Sequence, residues 1–160
     1  VKAIVCVLAI AACDSAPIEP NGIGSYKFGH TVAAGIHDGN CQPTELSDGR
    51  KAIWCFALPP IKVGKHVAEV DTYFSLAPPH TKDDAPLIEI QLKVRGCVED
   101  EAERWMRERF GPPIETKSTR EYWQNSFVWA AAFLPSEPGR CLIHILPRSE
   151  SGEIERIKSQ

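Results

Sequence analysis

Two stretches of the chain alternate strictly between apolar and polar residues. In residues 67–76, Ala68, Val70, Thr72, Phe74 and Leu76 face one way, and Glu69, Asp71, Tyr73 and Ser75 the other. Residues 87–94 repeat the pattern, with Ile88, Ile90, Leu92 and Val94 set against Glu89, Gln91 and Lys93. A period of two means a β-strand with one dry face and one wet face. Parallel sheets are covered on both sides and read as continuous apolar runs, so this alternation requires an antiparallel sheet. Residues 77–86 (APPHTKDDAP) form a polar hairpin link between the two strands, and the apolar run 52–58 (AIWCFAL) predicts a third.

After residue 96 the period changes. Val98, Ala102, Trp105, Met106 and Phe110 fall on one helical stripe, with Glu101, Glu103, Arg104, Arg107 and Glu108 around it. Asp100 with Glu103 predicts a capping box, and Gly111, Pro112 and Pro113 terminate the helix. The acidic cluster Glu99, Asp100, Glu101 and Glu103 reads as favourable charge at a helix N-terminus. An earlier, weaker helix is predicted from Phe28, Val32 and Ile36 at four-residue steps, with Thr31 as N-cap and Gly35 weakening it.

Residues 121–134 read as one long strand. Trp123, Phe127, Trp129, Ala131 and Phe133 share one face, and Tyr122, Gln124, Ser126 and Val128 the other. A turn at residues 136–139 returns the chain through a strand at 140–146, and 148–160 is a charged tail, frayed or loosely helical. The expected fold is α+β: a twisted antiparallel sheet of about five strands with two helices packed on one face. The order helix, strands, helix, strands also hints at two tandem helix-plus-sheet units.

The chain has 160 residues, a formal charge of −3 and 6 cysteines. This length suits one modest domain, and the slightly acidic balance argues against a dedicated nucleic-acid binder. Six cysteines are many for a reducing compartment. Lys2 precedes a run of ten small or apolar residues, 3–12, too short to span a bilayer but suited to a secretory signal. Its end, Ile10-Ala11-Ala12-Cys13, resembles the lipobox of bacterial lipoproteins. That resemblance implies cleavage before Cys13, which then carries a diacylglycerol and palmitate anchor in the envelope and faces the periplasm. An ordinary secretory signal cleaved at an A-x-A site is the alternative. Residues 14–22 (DSAPIEPNG) read as a flexible tether. The expected division is a signal at 1–12, lipidated cysteine and tether at 13–25, a domain at 26–147 and a tail at 148–160. Asp14 after the cysteine resembles an inner-membrane retention signal, a rule that varies between bacteria, so inner and outer membrane both stay open.

Cys6 leaves with the signal and Cys13 is consumed by lipid, so Cys41, Cys55, Cys97 and Cys141 remain. An even count after export predicts two disulfides, and three pairings are open. Cys41–Cys55 with Cys97–Cys141 is preferred, because each pair would tie a helix end to a strand of its own half. Loop entropy assigns these about 3 and about 4 kcal/mol.

Tyr26, Phe28, Gly29 and Thr31, placed after a lipobox and a polar tether, resemble the small envelope lipoproteins of the SmpA/OmlA type. Trp105, Phe110, Gly111 and Pro112, followed by a Trp-rich strand, repeat the logic. Tandem units of this kind are also similar to the architecture of β-lactamase inhibitor protein. Both resemblances imply a protein that binds other proteins and does not catalyse.

The sequence offers little chemistry. It holds no G-x-S-x-G, H-E-x-x-H, P-loop or G-x-G-x-x-G motif. His30, His37 and Asp38 read as surface residues on a weak helix, so no metal and no cofactor is expected. A catalytic pairing of Cys97 or Cys141 with His144 fails on geometry, since three residues along a strand turn Cys141 and His144 to opposite faces. The candidate protein-binding surface is the wet face of the sheet: Asp71, Tyr73, Glu89, Gln91, Tyr122, Gln124 and Val128. Tyrosines among polar groups suit recognition of a protein partner. The expected function is therefore non-enzymatic binding or assembly by a lipid-anchored envelope protein. An immunity or inhibitor protein acting on an envelope-targeting enzyme is the alternative, and a small cell-envelope hydrolase the second.

Overall fold

The computed structural model describes residues 20–29 and 40–160. The signal, Cys13, most of the tether, His30, His37, Asp38 and most of the first predicted helix lie outside these residues.

The chain forms β1 (Gly22–Ile23), β2 (Tyr26–Lys27), β3 (Asn40–Glu45), β4 (Lys51–Phe56), β5 (Ile61–Val63), β6 (His66–Ser75) and β7 (Leu87–Arg95). Helix α1 (Glu99–Phe110) follows, then β8 (Glu115–Lys117), β9 (Arg120–Gln124), β10 (Val128–Glu137), β11 (Arg140–Pro147) and α2 (Ser151–Lys158). Strands β1 and β2 form a small hairpin of their own. The other nine make one antiparallel sheet in the order β3-β4-β6-β7-β11-β10-β9-β8, with β5 also paired to β6. Two meanders therefore meet at the β7–β11 pair, and the first strand of each lies at an outer edge.

Strands β4 and β5 pair with successive parts of β6, so they form one rank interrupted at residues 57–60. Pro59 and Pro60 lack the N–H that a ladder needs, and Ala57 turns out of the strand at φ 53°.

The expected α+β fold, about five strands with both helices on one face, does not form: the described residues are mostly β, the main sheet has nine strands, and the helices lie on opposite faces of it. Helix α1 buries Ala102, Trp105 and Met106 with Val70, Phe74, Ile90, Leu92, Ala130, Ala132 and Ile143. On the other face, α2 buries Ile154 and Ile157 with Tyr122, Ala131 and Leu146. The tail expected to fray is thus held down by two buried isoleucines, each contributing about 1.5–3 kcal/mol.

The predicted strand 121–134 is a hairpin, β9 and β10. Asn125 breaks it: its Oδ1 accepts hydrogen bonds from the backbone N–H groups of Phe127 and Val128, both at 2.8 Å. Such an Asx turn competes with continued pairing. It also resets the parity. Trp129 pairs with Gln124 and Ala130 with Trp123, so Trp123 and Val128 face α1 while Trp129, Ala131 and Phe133 face α2.

Helix α1 buries Ala102, Trp105 and Met106 of its predicted stripe and packs Phe110 against the core, but Val98 is 48% exposed and the capping box does not form. Val98 takes the N-cap position without a side-chain bond, leaving Asp100 inside the first turn. At the other end Gly111 adopts φ 77° and its N–H donates to the Arg107 carbonyl at 2.9 Å. Both disulfides are present as paired above, Cys41–Cys55 and Cys97–Cys141. The first joins two strands directly, since Cys41 and Cys55 are cross-strand partners. The second ties Cys97, two residues before α1, to β11.

Candidate functional site

The register of β4, β6, β7, β11 and β10 arranges the side chains of the α2 face in rows. One row runs Trp54, Tyr73, Glu89, through the pairs Trp54–Tyr73 and Tyr73–Glu89. The next runs Asp71, Gln91, His144, Ala131, Tyr122. A third runs Glu69, Lys93, Leu142, Phe133, Arg120. Helix α2 covers the β9–β10 side of this face and leaves open the β4–β6–β7 side.

The uncovered part is a floor of paired polar groups, and its carboxylates are buried: Asp71 is 5% exposed and Glu89 6%. Burying a charge is costly unless it is hydrogen-bonded, and both are. Asp71 Oδ2 accepts from Trp54 Nε1 at 2.8 Å and from Lys93 Nζ at 2.5 Å. Glu89 Oε1 accepts from Gln91 Nε2 at 2.9 Å and lies 2.6 Å from Nδ1 of His144, itself 7% exposed. The Phe133 ring meets the His144 imidazole edge-on at 5.6 Å.

Tyr73 stands between the two acids. Burial, then Glu89, then Asp71 push its phenol up to about 12. It stays a neutral hydrogen-bond donor throughout the physiological range. Trp54 and Phe56, with ring centroids 4.5 Å apart, wall a groove of about 380 Å³ that Ala57, Leu58 and Pro60 close on one side and Asp71, Glu69 and Lys93 on the other. Beside the floor, Glu153 of α2 pairs with Arg156 on the same helix, and Arg50 at the start of β4 clamps Glu150 at 2.8 Å. The Arg50–Glu150 pair fixes the start of the helix at the border of the open area, while the Glu153–Arg156 pair stays within the helix.

Four of the seven predicted surface residues, Asp71, Tyr73, Glu89 and Gln91, come together on this floor. The other three do not join them. Tyr122 shares the face but lies under α2 at 1% exposure. Gln124 is exposed at the far end of β9. Val128 is a correction: the Asn125 turn sends it into the α1-side core, also at 1% exposure. The floor is also less wet than alternation predicts, because Trp54 and Lys93 cover Asp71 and His144 covers Glu89. Among the Trp-rich residues, Trp123 is core, Trp129 is half-buried and Phe127 is 48% exposed.

Sequence reasoning passed over Trp54, Lys93 and His144. His144 carried a signal, since alternation set it opposite Cys141 and on the polar side. Lys93 was on the polar side of its strand too. Trp54 sits in an apolar run in which no polar neighbour marks the face.

The sheet edges offer no equivalent surface. The 4.1 Å Cα separation of Cys41 and Cys55 marks a non-hydrogen-bonded pair, so the backbone groups of Cys41, Pro43 and Glu45 point outward from β3. Pro43 has no N–H to give there. At the other edge β8 has only three residues. Both are devices that prevent strand addition.

The His144–Glu89 dyad orients an imidazole, as a general base requires. Its partners in the structure are Gln91 and Phe133, with no hydroxyl or thiol among them. Cys141 and His144 face opposite sides, and Cys141 is held in its disulfide. Among the described residues, no three of His, Cys, Asp and Glu converge as a metal site needs. Comparison with protein-family models, curated proteins and solved structures finds no match. The functional reading rests on the chemistry of the floor.

Proposed function

We propose that this is an exported, lipid-anchored binding protein, non-enzymatic, which recognises a protein of the bacterial envelope through the open floor beside α2. The observation that carries this reading is the floor itself: Trp54 is hydrogen-bonded to Asp71, and Tyr73 stands opposite Trp54 and Glu89 among acids already paired. Rigid aromatics seated among satisfied polar groups lose little entropy on binding, as interface anchors require. The blunted edges favour a face over an edge as the contact. The two disulfides support export to an oxidising compartment, and the lipobox-like Ile10-Ala11-Ala12-Cys13 supports an anchor there.

Pull-down from detergent-solubilised membranes tests it. Wild-type protein is expected to capture a partner, and Trp54→Ala with Tyr73→Ala to weaken capture about tenfold or more, as loss of central anchors does. Undiminished capture by the folded double variant would place the contact elsewhere. For the anchor, Cys13→Ala is expected to move the protein from the membrane to the soluble fraction; unchanged partitioning would refute lipidation.

A further inference from the structure

The chain enters the domain at a defined corner. Asn125 Nδ2 donates to the Pro20 carbonyl at 3.1 Å, pinning the incoming segment to the β9–β10 turn. Phe28 N–H donates to the Asn21 carbonyl at 3.2 Å, so the β1–β2 hairpin leaves from and returns to this same end. Pro20 is the seventh residue after Cys13, with only six residues between them. Fully extended, this link reaches no further than about 25 Å. If Cys13 carries lipid, this corner cannot stand far from the bilayer.

The side chains at the corner have the chemistry of a membrane interface. Phe127, at the tip of the turn, is 48% exposed. Arg148 stacks its guanidinium 3.9 Å above the centroid of the half-buried Trp129 ring. Its backbone N–H donates to the Phe127 carbonyl at 2.9 Å, and its Nη1 to the Asn125 carbonyl at 3.3 Å. Trp129 Nε1 returns a bond to the Arg148 carbonyl at 3.3 Å. Every one of these partners is neutral, so the cation keeps its charge for an outside anion. An exposed aromatic, an amphipathic indole and an arginine are the residues that settle at the level of lipid headgroups.

We infer that the Phe127–Trp129–Arg148 corner is the membrane-facing end of the domain, with Phe127 seated among lipid headgroups and Arg148 against a lipid phosphate. This rests on the lipid-anchor reading above. One cation and one aromatic are too weak to hold the domain on a bilayer alone. Their effect is to fix the orientation of a domain that the lipid already holds there.

The opposite end of the same strand supplies the control. Glu137 lies ten residues from Phe127, about 33 Å along an extended chain. The protein is produced with its lipoprotein signal in a host that processes lipoproteins. It is then reconstituted into phosphatidylethanolamine–phosphatidylglycerol vesicles carrying a spin label at the headgroup. Phe127→Trp and Glu137→Trp are compared with wild type. The added fluorescence of F127W is expected to be quenched by the label, and that of E137W to be unaffected. With both variants bound to vesicles, an unquenched F127W, or a quenched E137W, would overturn the orientation while leaving the anchor intact. Absence of fatty-acid labelling, with protein in the supernatant, would overturn the anchor and this inference with it.

Discussion

On strand β7, Ile90 and Leu92 are sealed among apolar side chains against α1, whereas Glu89 and Gln91, their immediate neighbours in sequence, turn to the other face and join His144. The same backbone supports two kinds of surface. Toward α1, stability comes from area and volume, and both disulfides lie on or against that core. Toward the open floor, it comes from matched pairs in which each acid needs its donor. Changes on the first face therefore cost stability by size, and changes on the second by the partner they strand.

The largest effect is expected from Trp123→Ala. It empties a fully buried site and removes the bond from Nε1 to the Gly111 carbonyl. A loss of about 3–5 kcal/mol is expected in urea unfolding. A loss below 1 kcal/mol would mean that this face is not the core it resembles.

Next in size is the longer disulfide. Replacing Cys97 and Cys141 together by alanine should cost about 4 kcal/mol, against about 3 for Cys41 and Cys55, because its loop is longer. Thermal melts of the two double variants measure the order, and a reversed order would contradict the loop argument.

On the floor, His144→Ala leaves Glu89 buried with Gln91 as its remaining side-chain donor, at a cost of about 1–3 kcal/mol. Replacing both His144 and Glu89 by leucine should return most of that stability, since a buried pair gives little net gain over an apolar one. The same variant is expected to lose partner capture. Retained capture would show that the pair only holds the sheet together.

The smallest effect belongs to Tyr73→Phe, near zero at neutral pH. Burial, Glu89 and Asp71 hold the folded phenol near 12, above the ordinary value of 10. The folded state therefore keeps this proton more tightly than the unfolded chain. That contribution to stability is complete below pH 10 and is lost as pH rises toward 12. Alkaline unfolding of wild type should be steeper than that of Y73F across this window, and identical slopes would contradict the shift.

The alternation of residues 67–76 and 87–94 was enough to reveal an antiparallel sheet and to place Asp71, Tyr73, Glu89 and Gln91 on one face, because side-chain parity is local. Parity failed once a turn intervened. Asn125 sits inside an aromatic stretch that looks continuous, and only its side-chain bonds to Phe127 and Val128 reveal the break, so Val128 was placed on the wrong face. Strands β3 and β8 lacked any pattern to read. As polar edge strands they have no buried face to mark in sequence. The C-terminal helix was hidden for a related reason: two isoleucines among charges make a weak stripe, and its helicity depends on docking over Tyr122 and Leu146. Trp54 joined the floor through Asp71, a partner seventeen residues away on another strand.

Photo-crosslinking in living cells tests the central claim most directly. A photoreactive amino acid is placed at Tyr73 on the open floor and, for comparison, at Arg104 on the exposed side of α1. The account predicts a discrete crosslinked protein from position 73 and none from position 104. Crosslinking from 104 alone, with the floor silent in a correctly folded protein, would contradict it.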